Sequence, residues 1–352
     1  MADTPVRKDY LTAAHNILIY KELGRALQSL GDAGVPVILL KGAALAKTIY
    51  PSIADRPMGD VDLLVYPADR DRARAALEAV GYRFVPERRQ RFSPFDTEFT
   101  GEMAFRHGEQ FPMDLHWELT PNEWIRRLAA LDIEAVWQEA VPLQLNQQQA
   151  LQLSPCDTLL HLCLHLTAHG YVHPHGLHDI QRLTKYYHPF PWVQFTARAR
   201  QFRMGSLCYF VLEAMAAAGN IAVPHEVLDV LRPPTWQCWL VRQIADPREA
   251  LTGKLGFSKS RGYLLYLAVA DRFIDIARAI AWLLLPGPRW LAERYRLKGR
   301  FRPWLACFWH PVIVLWHGTC GLWTVARSRV WRADSVPRED DRTLGRAAGR
   351  RE

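Results

Sequence analysis

The stretch Gly59-Asp60-Val61-Asp62-Leu63-Leu64-Val65 sets two carboxylates two residues apart at the head of an apolar strand. Strand alternation puts Asp60 and Asp62 on one face, about 6.5–7 Å apart along the backbone. Carboxylates that close repel unless a positive charge lies between them. Mg²⁺ or Mn²⁺ is the expected charge, since hard cations are held by carboxylates together with substrate phosphates. The alternative is a pair of solvated carboxylates at a strand end. Leu63-Leu64-Val65 weighs against it: so apolar a strand is buried, and its opening carboxylates then face a cleft.

Asp114 is the third carboxylate. In Phe111-Pro-Met-Asp-Leu-His-Trp117, Met113, Leu115 and Trp117 alternate with Asp114 and His116. A neighbouring strand would bring Asp114 to about 5 Å from the pair. It reads equally as a salt-bridged edge residue. Three carboxylates on one sheet edge would suit a two-metal site that clamps an in-line displacement at phosphorus.

Lys41-Gly42 closes one strand and opens a helix. Glycine there lets a polyphosphate approach the backbone at a helix N-terminus; a tight turn is the plainer reading. Neither GxxxxGK[ST] nor GxGxxG is present. Arg56 and Lys47 are candidate phosphate contacts, Arg56 the stronger because it directly precedes the carboxylate pair. His161, His165 and His169 share a helix face at four-residue spacing. With no HExxH, a structural or interdomain role is favoured over metal ligation. His178-Asp179 matches an HD-type phosphohydrolase only as a dipeptide.

Helical periodicity covers 9–30, and Val35–Leu40 and Val61–Val65 read as buried strands. Helices are predicted at 43–50 and 69–80, a strand at 82–85, and a hairpin from 99–106 and 111–117. Beyond Asn146 the strand signals fade into helices at about 159–169, 178–187, 192–218, 225–232, 235–246 and 261–285. The expected division is a core at 1–145, a helical domain at 146–288, a basic Trp-rich segment at 289–333 and a disordered tail at 334–352.

The 352 residues carry a net charge of +8. All of it lies between Pro286 and Glu352, where 14 Lys and Arg face 6 Asp and Glu; the other 285 residues balance. Six of the 13 tryptophans share that stretch. Three readings of 289–332 follow: a helical hairpin with a solvated Arg face, an anionic membrane surface contact, or nucleic-acid binding, which no recognised motif supports. The six cysteines form no CxxC pair and read as reduced thiols. Neither a signal-peptide core nor a run of about 18 apolar residues is present, so a cytoplasmic location is expected.

Leu40-Lys-Gly42, Tyr50-Pro51, Arg56-Pro57, Asp60-Val-Asp62-Leu-Leu-Val65, Gly81-Tyr82 and Asp114-Leu-His-Trp117 occur in order, followed by Leu160-His-Leu-Cys-Leu-His165, His169-Gly170 and Asp179-Ile180. This set resembles a bacterial family of nucleotidyltransferases within the DNA polymerase β-like superfamily, over about residues 12–190. The resemblance implies an α+β nucleotidyltransferase core with a short mixed sheet and an all-helical C-terminal domain. It implies transfer of a nucleoside monophosphate from an NTP to an acceptor, with Asp60, Asp62 and Asp114 as metal ligands and catalytic carboxylates. Lys41, Gly42 and Arg56 would hold the phosphates. The superfamily usually has Gly-Ser at the first motif, where this chain has Lys41-Gly42-Ala43. The rival expectation is a catalytically inactive scaffold that binds a partner or a membrane surface through its Trp/Arg-rich C-terminal region.

Overall fold

The computed structural model describes residues 5–85, 101–108, 111–120, 123–145, 148–171, 173–251, 259–299 and 301–334. The expected start of the hairpin at 99 and the tail from Ser335 onward lie outside them. Helix α1 (Pro5–Asp32) buries Ile19, Leu23, Ala26, Leu27 and Leu30, which recur at helical spacing. Gly34, at φ +65°, turns the chain out of it while the Val35 amide donates to the Leu30 carbonyl.

Then follow β1 (Ile38–Leu40), α2 (Lys41–Thr48), β2 (Val61–Leu64), α3 (Arg70–Ala79), β3 (Arg83–Phe84), β4 (Glu102–His107) and β5 (Phe111–His116). Next come α4 (Glu123–Leu128), α5 (Ile133–Glu139), β6 (Val141–Leu145) and β7 (Gln148–Gln152). The strands form one mixed seven-stranded sheet in the order β3-β4-β5-β2-β1-β7-β6. β2 runs antiparallel to β1 and parallel to β5, and β7 runs parallel to β1. The sheet thus extends past Leu145, where sequence reading began the helical part. Gln148-Gln149 carries little strand propensity; pairing with β1 and β6 supplies what local sequence does not.

The helical part comprises α6 (Pro155–Ala168), α7 (Pro174–Tyr186), α8 (Trp192–Gln201), α9 (Gly205–Ala217), α10 (His225–Leu231), α11 (Thr235–Ala245), α12 (Pro247–Ala250), α13 (Lys259–Ala268), α14 (Phe273–Leu284), α15 (Pro288–Arg294) and α16 (Arg302–Asp334). The protein is therefore α+β: a mixed sheet with flanking helices, followed by a helical region. Two helices predicted as continuous are each broken. Arg203 takes φ +54° between α8 and α9, and Asp271, between α13 and α14, accepts from the Gly205 and Ser206 amides at 2.8 Å. One break thus satisfies the open amides at the other.

The sheet separates two apolar cores. Leu39, Val61, Leu63, Met113 and Leu115 pack with α1 and α3 on one face. Ile38, Leu40 and Leu64 pack with α6 and the helices beyond it on the other. Alternation therefore aims Asp62, Asp114 and His116 at the helical region.

Candidate active site

Asp62 lies in register with Leu40 of β1 and Asp114 of β5, so the two carboxylates are direct neighbours across a parallel pair. His116, two residues beyond Asp114, pairs with Leu64 on one side and Glu102 on the other. Asp62, Asp114 and His116 each offer a ligand atom within 4.8 Å of the others. Among the described residues this is the one such group of three. Asp60 stands outside it, solvent-exposed at the head of β2.

Asp62 is buried, and its Oδ1 accepts from Lys41 Nζ and contacts His116 Nε2, each at 2.9 Å. Burial opposes ionisation of Asp62, but Lys41 and His116 outweigh it and hold the carboxyl well below the usual carboxylate range. Asp62 in turn raises both Lys41 and His116 against the burial that would lower them. Asp114 behaves oppositely: burial first, then the Asp62 charge, push it up to about 7. Asp60 is also raised, by desolvation among the surrounding chain and by Asp62.

The donor set therefore fits a divalent cation. Burial and the Asp62 charge disfavour ionisation of Asp114, a repulsion that a bound cation would relieve, and His116 Nδ1 is buried without a hydrogen bond, 3.4 Å from Glu102 Oε2. Hard carboxylate oxygens suit Mg²⁺ or Mn²⁺, and His116, once it gives up the proton that Asp62 favours, would add an imidazole nitrogen that favours Mn²⁺ of the two.

Lys41 reaches Asp62 because it opens α2 with φ +46°, a left-handed conformation a β-carbon disfavours. Gly42 is buried beside it. A β-carbon there would meet Met58 Cγ at 3.3 Å and Arg56 Nη1 at 3.7 Å, so the missing side chain lets the 56–58 loop close on α2. Arg56 is buried in a two-pronged pair with Asp179 of α7, at 2.8 and 2.9 Å. Tyr50 Oη donates to the same Asp179 at 2.7 Å. The Arg56 guanidinium is thus engaged between the sheet and the helical region. Asn16 Nδ2 holds the same loop through the Arg56 carbonyl at 2.9 Å. Lys47 is exposed, with its ammonium over the Tyr20 ring.

His161 is buried on α6, its Nδ1 without a hydrogen bond, and burial followed by the Lys41 charge lowers it to about 3. The rings of His165, His169 and His173 lie 4.5–5.3 Å apart. His173 Nδ1 accepts from the Gly176 amide and caps α7. His178 is exposed while Asp179 is buried against Arg56, so the dipeptide does not present both side chains to one cation.

Sequence reading missed two things here: His116 as a donor and Lys41 as the partner of Asp62. The signal for the first was present, because residues two apart on a strand share a face and Asp114-Leu115-His116 has that spacing.

The sequence model of a family described as uncharacterised nucleotidyltransferase matches residues 7–218. No curated protein and no solved structure matches the chain. The family match spans the whole sheet, the Asp62–Asp114–His116 group and α6 to α9.

Proposed function

The chain belongs to the uncharacterised nucleotidyltransferase family, and from that premise we propose that it transfers a nucleoside monophosphate from an NTP to an acceptor, releasing pyrophosphate. The observation that carries this reading is the in-register Asp62–Asp114 pair, with one carboxyl held ionised and the other raised to about 7.

Asp62 and Asp114, with His116, would hold Mg²⁺ or Mn²⁺, which when bound supplies charge neutralisation to the triphosphate. Asp60, exposed just before β2, would face the bound nucleotide. Lys41 and Gly42, at the head of α2, are the phosphate side: the Lys41 ammonium offers a second positive charge next to Asp62. Arg56 acts as a positioning residue, tying the loop before β2 to α7 through Asp179. An acceptor hydroxyl gives its proton to the carboxylate oxygen of Asp114 that the cation leaves free. The acceptor oxygen then bonds to the α-phosphorus as the bond from that phosphorus to the pyrophosphate oxygen breaks. Most of the acceleration comes from positioning and charge compensation.

A second reading, the inactive scaffold, is favoured by one observation: the Lys41 ammonium already compensates Asp62. The two separate in one experiment. Calorimetry with each NTP and Mn²⁺, alongside incubation of α-labelled NTPs with candidate acceptors, should show metal-dependent binding and label transfer. Asp62→Asn and Asp114→Asn should lower both by about 10²-fold or more while leaving the circular dichroism spectrum unchanged. Absence of Mn²⁺-dependent NTP binding by the wild-type protein supports the scaffold.

A further inference from the structure

Helix α16 is amphipathic the wrong way round for a helix packed on a protein in water. Its inner side carries Ala306 and His310, both buried against α14 and α15. His310 Nε2 donates to the Leu283 carbonyl at 2.9 Å, and its Nδ1 accepts from Tyr295 Oη at 2.7 Å. The outer side bears Trp304, Phe308, Val312, Trp316 and Trp323, with Phe301 just ahead of the first turn, all exposed; Phe308 is 80 % and Trp316 67 % accessible. Their spacing of three, four and seven residues keeps them on one stripe, about 33 Å long. A stripe of that kind marks an interaction surface. α14, packed beside α16, adds exposed Phe273 and Ile274, and exposed Leu285 follows its last residue.

Charge selects the occupant. Between Arg289 and Arg332 nine Lys and Arg stand against Glu293 alone, a net of +8, and no acidic residue occurs from Arg294 to Ala333. Arg296, Lys298 and Arg302 are exposed at the N-terminal end of the stripe; Arg327, Arg329 and Arg332 follow in the last turns of the helix. A second copy docking here would bring two such segments together against their mutual repulsion. Among the described residues no helix is long and apolar enough to cross a membrane. The hydrogen bonds of His310 anchor the first turns of α16 to α14 and the end of α15.

We propose that α16 docks this protein on an anionic lipid bilayer. The Trp/Phe stripe enters the interface, where tryptophan is favoured, and the flanking cations meet acidic headgroups. This surface is separate from the carboxylate site and holds whether or not nucleotidyl transfer does.

The test is co-sedimentation of the full chain with phosphatidylcholine vesicles, with and without phosphatidylglycerol, at low and high salt. Binding is expected to the anionic vesicles, at least about tenfold tighter than to the neutral ones, and to weaken with salt. The triple variant Trp304→Ser/Phe308→Ser/Trp316→Ser should lower it about tenfold or more, since three interfacial aromatic side chains are lost. The variant Arg296→Glu/Lys298→Glu/Arg302→Glu should lower it similarly and flatten the salt dependence. All these side chains are exposed, and an unchanged circular dichroism spectrum confirms folding. No binding to anionic vesicles, or equal binding to neutral ones, overturns the proposal. A lipid-free dimer that the aromatic variant dissociates also overturns it and gives the face to a second copy.

Discussion

Lys41 Nζ stands 2.9 Å from Asp62 Oδ1, and Lys41 holds that place from a left-handed backbone. A divalent cation bound by Asp62 would compete with the ammonium for the same oxygen. Lys41→Met should therefore destabilise the fold, but by less than the about 3–5 kcal/mol of a fully stranded buried charge, because His116 still pairs with Asp62. Saturating Mn²⁺ should return part of that loss by binding only the native state, about 2.7 kcal/mol at a hundredfold excess over Kd. Urea unfolding with and without Mn²⁺ measures both. If Mn²⁺ stabilises the variant no more than the wild type, cation and ammonium do not share the position.

Asp60 and His116 are predicted to differ in when they matter. His116 sits in the buried group with Asp62 and Asp114, whereas Asp60 is exposed in front of it. His116→Asn should weaken binding of Mn²⁺ alone by about 10–100-fold, the range for losing a supporting group at a metal site. Asp60→Asn should leave Mn²⁺ binding nearly unchanged and weaken only the Mn²⁺–NTP complex. Electron paramagnetic resonance titration of Mn²⁺ with and without NTP reads the two separately, and the opposite order would make Asp60 the inner ligand.

Much of this site is visible in local pattern, because its geometry is local. Asp60-Val-Asp62 and Asp114-Leu-His116 each carry their own alternation, and strand alternation alone predicts a shared face. Whether the two segments meet depends on the parallel β2–β5 register, which α3, β3 and β4 separate in the chain. No local spacing contains that. Arg56 shows the same boundary: its place before the carboxylate pair suggested a phosphate contact, whereas its partner Asp179 lies 123 residues away on a helix. The edge hairpin β6–β7 was illegible for a related reason, since glutamine-rich Gln148–Gln152 is a strand through pairing rather than propensity.

The Arg56–Asp179 pair joins the loop before β2 to α7 with both side chains almost fully buried. Asp179→Leu and Arg56→Met should each cost about 3–5 kcal/mol, because each leaves one buried charge unpaired. The double variant Arg56→Met/Asp179→Leu should lose much less than the sum, as apolar replacement of a buried ion pair is often neutral. A double-mutant cycle in urea gives the coupling. Additive losses would show that Arg56 and Asp179 act separately.

His161 connects stability to pH. Burial and the Lys41 charge lower its folded-state pKa to about 3, below the ordinary value near 6.5 of the unfolded chain. Between those values the unfolded state binds a proton that the native state refuses. The stability conferred by neutral His161 is therefore complete above about pH 6.5 and is lost as pH falls towards about 3, at up to about 1.4 kcal/mol per pH unit. His173, lowered to about 4, acts in the same direction, and Asp114, raised to about 7, acts in the opposite one. The His161 contribution is isolated by comparing wild type with His161→Gln, in which the other groups remain. The variant should be less stable at pH 7.5, because its amide fills the site less well, and should lose stability less steeply between pH 6 and pH 4.5. Parallel profiles for the two proteins in urea unfolding would mean that His161 is already protonated in the native state, against the burial of its ring beside Lys41.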